Sequence, residues 1–531
     1  MSERIWRMPG RAVGCLKKHW FCYDGRMSNA QHVFVSLRAL HGVFERFRRD
    51  QTGVLANVSA VRSRSVTPIL GLACAVVLGG CGVPDAESVS TSGKVPLRGT
   101  FAAGQSSVQA QAGLVDVDWL TSFGDAQLSA VVAETLRQSW TLVGAQERVE
   151  QARLLAVRAG ATLGPIVDGV AGAGWTDPGR GSRNRTTLRL GVAATWELDV
   201  WGRVRAAQRG AQADARTIEA DFASLREVIA AQAAQSYVLM AVAQRQLSVD
   251  EDLLKLRERT LGVAEARLRA GVAQPIDVNV ARADVTDSEA LVRGSRQALD
   301  DAKRSLEILL GRYPSAEIVG GNELPAVPDR VPVGLPSELL ERRPDILAAD
   351  QRVAAAFYRT SEARAARLPR IALTGELGTA SGQLRDVLNP ENVAWNIGGN
   401  LIAPLIDGGA RTIDVKIAES QQREALSGYV DAAIRAFGEV ETALASEATL
   451  KQQAEFLERS VEDLTKARDA AELRYRRGLL SIYELTQVEA RLFTARRELV
   501  SVRGASVVQR IELHRALGGS FGTARTVEGG L

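Results

Sequence analysis

RLRAGVAQPIDV at residues 267–278 and RYRRGLLSIYEL at residues 474–485 share one design: a basic helical end, a glycine, a short turn, and an acid soon after the chain restarts. They lie 207 residues apart, and other corners keep that spacing: Gly202 with Gly409, Arg267 with Arg474, Gly271 with Gly478, Asp277 with Glu484, Leu306 with Leu513 and Gly311 with Gly518. Few intervening residues match, as expected of a duplicated structural unit that kept only its turns and helix ends. In the first copy Gly271 predicts a helix stop, Pro275 a first-turn position and Asp277 a first-turn acid; in the second, Gly478 predicts the stop and Ser481 with Glu484 a capping box.

What flanks these corners is helical. No proline occurs between Pro178 and Pro275 or after Pro404, and both stretches are rich in Ala, Leu, Glu, Gln and Arg, the strong helix formers. Met240, Leu247, Leu254, Leu261 and Leu268 recur every seven residues; Leu450, Ala454, Leu457, Val461 and Leu464 alternate four and three. An unbroken helix from about residue 206 to 270 would be about 95 Å long. The corners therefore predict two long antiparallel helical hairpins, each preceded by an opening helix near 125–162 and 337–367. Pro314, Pro325, Pro328, Pro332 and Pro336 mark the linker between the copies.

Between opening and long helix, each copy carries two segments of strand character. Residues 187–198 and 371–377 alternate clearly; residues 166–175 and 395–405 are Gly-rich and weaker. Period-two segments of roughly ten residues suit a membrane β-barrel, and also a small sheet packed on the helices. Four strands cannot close a barrel, so a membrane reading requires several chains.

The N-terminus reads as a leader. Residues 61–81, VRSRSVTPILGLACAVVLGGC, combine Arg62 and Arg64, an apolar run from Ile69 to Val77 and small residues, a secretory signal too short to span a bilayer. Leu78-Gly79-Gly80-Cys81 has the form of a bacterial lipobox that lipidates Cys81, the alternative being an ordinary cleavage site. Residue 82 is Gly rather than the Asp that retains lipoproteins at the inner membrane. Residues 1–60 fit no signal architecture, so translation is expected to start after Met1, at Val54, Val58, Val61 or Met27. Of 66 Lys+Arg and 62 Asp+Glu, residues 1–80 hold 12 and 4; the remaining 54 and 58 leave a net charge of −4, and the basic character that would favour nucleic acid disappears. Cys15, Cys22 and Cys74 leave with the leader, as do His19, His32 and His41. Cys81 and His514 remain, which leaves no intrachain disulfide and no His-based metal site or triad. With no phosphate loop or nucleophile motif either, the expectation is no enzyme, no catalytic residue, no metal and no cofactor.

TWELDVWGRVRAA (195–207), GLPSELLERRPDILAADQRVAAA (334–356), LIAPLIDGGAR (401–411) and the two tips resemble the TolC-like outer-membrane factors, in the lipoprotein branch serving RND-type efflux systems (NodT-type). The resemblance spans about residues 119–519 in the family's order. It implies a mainly α protein with membrane β: a homotrimer with a twelve-stranded outer-membrane barrel continued by a twelve-helix periplasmic tunnel. It divides the chain into leader and signal (1–80), lipidated extension (81–120), first efflux repeat (121–311), Pro-rich linker (312–336), second repeat (337–519) and tail (520–531). It also implies partners: a periplasmic adaptor, an inner-membrane RND-type transporter and outer-membrane lipid, with no nucleic acid. The function expected is that of an outer-membrane channel passing small molecules from pump to exterior. A type I protein secretion channel would share the architecture, and a soluble periplasmic coiled-coil adaptor would leave the strands unexplained.

By the same resemblance Arg267, Gly271, Arg474 and Gly478 lie where the family meets its adaptor, and Asp277 and Glu484 would form acidic rings where the tunnel narrows. Local capping explains all six as well. Family members often carry a further acid three residues after the second of these, where this chain has Gln487. Asp199, Trp201, Gly202, Arg203, Asp407, Gly408 and Gly409 are expected to turn the chain from strand to helix, Arg342, Arg343, Pro344 and Asp345 to cap and orient the helix that opens the second copy, and His514 to be structural.

Overall fold

A computed structural model of the 531-residue chain describes residues 92–98, 101–102, 119–177, 179, 185–320, 323–328 and 336–519. The leader and Cys81 lie outside the described residues. Helices α1 (Ala126–Gln138) and α2 (Trp140–Ala161) lead into strands β1 (Ile166–Thr176) and β2 (Arg185–Leu198), followed by α3 (Arg203–Arg269) and α4 (Pro275–Leu309). The second copy runs α5 (Pro336–Arg342), α6 (Pro344–Ala365), β3 (Arg370–Ser381), the short α7 (Leu384–Val387), β4 (Val393–Ile402), α8 (Ala410–Arg476) and α9 (Ile482–Ala516). The protein is mainly helical with an internal repeat.

The repeat is closer than the residue matches suggest. Helices α3 and α8 each have 67 residues, and α4 and α9 each have 35, all offset by 207. Upstream the offset is 204: β1 and β3 begin at Ile166 and Arg370, and β2 and β4 end at Leu198 and Ile402. The constant 207 read from the corners therefore holds only after the strand-to-helix junction, where the second copy, with Pro404, is three residues longer. The opening helices also differ from expectation in being broken. Ser139 ends α1 and caps α2 by accepting from the Leu142 N–H, and Pro344 separates α5 from α6 because proline favours a first-turn position.

Glycine ends every long helix in both copies with positive φ: 75° at Gly271, 70° at Gly311, 77° at Gly478 and 71° at Gly518. At both tips the next N–H reaches five residues back, from Val272 to Arg267 O (3.0 Å) and Leu479 to Arg474 O (2.9 Å), the bond that closes a helix whose cap residue is left-handed.

Two four-helix layers follow from the contacts. Near the sheet the order is α2, α3, α6, α8; toward the tips it is α4, α3, α9, α8. Between them lies a waist packed around Trp119, Phe123, Leu128, Tyr237, Met240, Leu306 and Ile511. His514 stacks on Trp119, centroids 4.8 Å apart, so its role here is structural as expected. Val95 and Phe101, from the N-terminal segment, bury in the clusters formed by α5, α6, α8 and α9.

The sheet is fully antiparallel in the order β1-β2-β3-β4, with outer edges on β1 and β4. Cross-strand partners share a face, and the faces differ in kind. One row is Gly169, Val192, Leu377 and Trp395; the next is Asp168, Ala193, Glu376 and Asn396. Large apolar side chains are exposed on the first face, Trp395 at 72% and Ile397 at 78%. No described helix is long and apolar enough to cross a membrane.

Candidate functional site

The parts that matter for transport are the sheet, its junctions with the long helices, and the hairpin tips. At the first junction Gly202 takes φ 75°, and Asp199 accepts from the N–H groups of Val204 and Arg205, both at 2.9 Å. The carboxylate thus satisfies donors that the new helix leaves free. Arg203 pairs with Glu197 at 3.0 Å and with Glu362 on α6 at 3.5 Å, while the Trp201 indole donates to Pro369 O at 2.8 Å. At the second junction Asp407 accepts from the N–H of Gly409 (2.9 Å) and Arg411 (3.3 Å), and these bonds hold its carboxyl below the usual range. Gly408 and Gly409 also take positive φ, 65° and 86°, so the aspartates and glycines shape the two turns while Trp201 and Arg203 tie the first to the second copy.

At the tips the two hairpins touch. Ala264, Val278, Ala281, Ala471, Tyr475, Ile482 and Leu485 form a small core. Arg267 of the first hairpin lies over the Tyr475 ring of the second, 4.8 Å from its centroid, and donates to the Tyr475 carbonyl. Burial pushes the Tyr475 hydroxyl up, with Asp277 adding to the effect and Arg267 opposing it. Arg474, the repeat partner of Arg267, is exposed, as are Gly271 and Gly478. The four tip residues are thus not equivalent: Arg267 joins the hairpins and Arg474 is exposed. Tyr475 was missed by sequence reasoning, although it follows Arg474 directly in the second tip motif.

Both acids occupy the third position of a helix. Asp277 accepts from the Gln274 N–H at 3.0 Å; Glu484 accepts from the Ser481 N–H at 2.9 Å, and Ser481 Oγ in turn accepts from the Glu484 N–H at 3.2 Å. The Ser481 bonds hold the Glu484 carboxyl below its ordinary range, so it is charged at neutral pH. Glu484 is exposed and Asp277 half-buried. Among the described residues no group of His, Cys, Asp and Glu is arranged to hold a metal ion.

A four-stranded sheet with one exposed apolar face, continued by helices about 100 Å long, suits an outer-membrane channel of the export class. The chain belongs to the outer membrane efflux protein family, whose model matches residues 131–312 and 335–519. Its work is transport rather than catalysis, and its place is the outer membrane, with the helices extending into the periplasm. It is 28% identical to the cation efflux system protein CusC of Escherichia coli over 459 residues, 85% of this chain and 98% of that protein. It is 29% identical over 421 residues to the pyoverdine export outer membrane protein OpmQ of Pseudomonas aeruginosa, 77% of this chain and 88% of the relative. Among solved structures it superposes on the outer-membrane channel OprN with a TM-score of 0.76 at 25% identity, covering 83% of this chain and 98% of that one.

Proposed function

We propose that three copies of this chain join edge to edge into a twelve-stranded barrel and a twelve-helix tunnel, the outer-membrane conduit of a tripartite efflux pump. One observation carries the reading: a four-stranded antiparallel sheet with an exposed apolar face and both edges open. In lipid those edges must be paired. Because the strands alternate and their number is even, β4 of one copy meets β1 of the next antiparallel, so identical copies close without a mismatch. The helical edges match this plan. Leu154, Leu155 and Val157 on α2, and Ile413 and Ile417 on α8, are exposed apolar side chains on the outer helices of the layer.

In this reading an inner-membrane RND-type transporter supplies the energy, a periplasmic adaptor docks on the tips through Gly271, Arg474 and Gly478, and small molecules pass to the exterior. Arg267 supports that surface by holding the two hairpins together. Cys81 carries the lipid: Val95 lies fourteen positions on, a span that reaches at most about 50 Å. Val95 buries in the cluster that includes Tyr429, Ala433 and Ala436, roughly 30 to 40 Å along α8 from its start at the sheet, so the outer membrane lies within reach. Detergent-solubilised protein should be a trimer of about 150 kDa, three chains of residues 81–531. Its intact mass should show an acylated Cys81. A monomer by detergent-corrected light scattering would overturn the assembly, and an unmodified Cys81 would overturn the anchor.

Asp277 and Glu484 are proposed to make the tunnel entrance negative, three copies of each adding to a common field that favours cations. Replacing both with Ala should weaken cation selectivity in planar bilayers with the trimer intact. Unchanged selectivity with a lower melting temperature would make them caps only, each contributing about 0.3 to 1 kcal/mol.

A further inference from the structure

The two hairpins meet along an antiparallel seam between α3 and α9, apolar at the waist and at the tips and interrupted between them by polar pairs. From the waist toward the tips, Gln235 donates to Glu512 at 3.2 Å, Gln246 to Ser501 at 2.9 Å, Arg497 to Asp250, and Arg257 lies 3.4 Å from Glu489. The last two pairs are one heptad apart on α3 and opposite in polarity, so sliding the helices by a heptad would oppose like charges.

The tip-side pair is incomplete. Glu489 is 0% exposed, yet its contacts are long: Thr260 Oγ1 donates to Oε1 at 3.4 Å, and Oε2 accepts no hydrogen bond, facing Arg257 Nη1 at 3.4 Å. Arg257 gives its close bond to Asp284 of α4 instead, at 2.8 Å, and a longer one to the Thr486 carbonyl at 3.5 Å. The second cation felt at Glu489 is Arg468 of α8, which is engaged by Asp469 and Glu472 at 3.1 and 3.0 Å. All four helices of the tip-side layer thus converge on two carboxylates that share one guanidinium. A buried site of that composition favours one proton; burial raises both carboxyls, and Glu489, fully buried and with the poorer hydrogen bonds, is the better place for it, since Asp284 is part-exposed and holds the close bond from Arg257.

We propose that Glu489, Arg257 and Asp284 form a proton-operated latch between the hairpins, packed while Glu489 is protonated and loosened when it ionises. Burial pushes the Glu489 carboxyl up to about 7, with Asp284 adding to the rise and Arg257 and Arg468 opposing it. A carboxyl raised by packing means that packing and proton binding favour each other. Seam closure is therefore strongest below the solvated carboxylate range. It weakens by up to about tenfold in equilibrium constant per pH unit on the way to about pH 7, and is flat above. The latch requires only the packing within one chain; its effect on conduction rests on the channel reading above.

Hydrogen exchange on the full-length detergent-solubilised protein tests it, as protection factors corrected for the intrinsic pH dependence of exchange. In the wild type, protection across residues 485–495 should fall by up to about tenfold per unit between pH 5 and 7. Glu489→Gln, a permanent mimic of the protonated acid, should remove the slope and at pH 8 retain at least about tenfold more protection than the wild type. Asp284→Asn, which removes the like charge and frees Arg257, should move the midpoint to lower pH. An unchanged slope in Glu489→Gln, or an unmoved midpoint in Asp284→Asn, overturns the latch. Bilayer conductance of the same preparations reports on the conduit separately: no conductance at any pH in either protein would count against the channel and leave the exchange result standing.

Discussion

Gly191→Val is expected to reduce folded, membrane-inserted protein by at least about tenfold, the largest effect of any single substitution considered. Gly191 in β2 faces Gly378 in β3. A Cβ built on Gly191 would lie 2.6 Å from the Leu377 carbonyl oxygen and 2.8 Å from Gly378 Cα; one on Gly378 would lie 2.7 Å from the Leu190 oxygen. These neighbours are backbone and cannot swing aside, so a side chain at either position forces the two strands apart. Overpacking a rigid interior already costs about 1 to 3 kcal/mol. Here the strain falls on β2–β3, the pair that joins the two copies of the repeat within the sheet. Gly375→Ala in the same sheet meets nothing closer than Asn396 O at 3.9 Å and should accumulate normally. Protease-resistant protein in the outer-membrane fraction is the measurement; equal levels of Gly191→Val and wild type would rule out the close approach.

Arg343→Ala should destabilise the protein by about 2 to 3 kcal/mol, less than the loss of a fully buried ion-pair partner because the carboxylates it pairs with are part-exposed and regain water. Arg343 is 4% exposed at the start of α6. Its guanidinium donates to both oxygens of Asp345 at 3.0 and 2.7 Å, to Glu439 of α8 at 2.8 Å and to the Ala516 carbonyl at the end of α9 at 3.0 Å. One side chain therefore ties three helices and answers a carbonyl that the last turn leaves free. Arg343→Lys should recover only part of the loss, since an ammonium has no planar fork to divide among four acceptors. The effect also carries a pH signature. Burial pushes the Asp345 carboxyl up, but its bonds from Arg343 outweigh that and hold it below the usual carboxylate range. Its contribution is present above the unfolded carboxylate range and is lost as pH falls through the depressed value. Thermal melting from pH 7 down to about 2 should show a flatter acid limb in Arg343→Ala than in the wild type, the difference falling below the ordinary carboxylate range.

The helical plan was legible because it depends on local chemistry. Gly271, Gly478 and the acids that follow them mark helix ends through backbone conformation and unsatisfied N–H groups, requirements set within a few residues. Strand alternation was legible for the same reason, and the alternating residues 187–198 fall within β2. The extra three residues at the second junction escaped notice because the corners compared all lay beyond it. The break at Ser139 escaped because a capped break and a continuous helix share one apolar pattern; at Arg343 the capping residues Arg343, Pro344 and Asp345 were legible, and only the separate short helix α5 before them was not.

What happens between distant segments was not legible. Arg267 and Arg474 are equivalent in the repeat, yet Arg267 alone lies over Tyr475, because the hairpins approach through non-equivalent faces and the repeat carries no record of that approach. Asp250 and Arg257 stand three residues after Leu247 and Leu254, at the second core position of the heptad, where a coiled coil would place apolar side chains. That departure was visible in the residues; its meaning was not, since a buried charge is defined by its partner, and Arg497 and Glu489 lie more than two hundred residues away. The sequence by itself determined where the four long hairpin helices end and which segments alternate as strands, for those features follow from caps, turns and periodicity. Only the tertiary structure decided which charges are buried together, because burial and pairing are properties of surfaces that meet after the elements have formed.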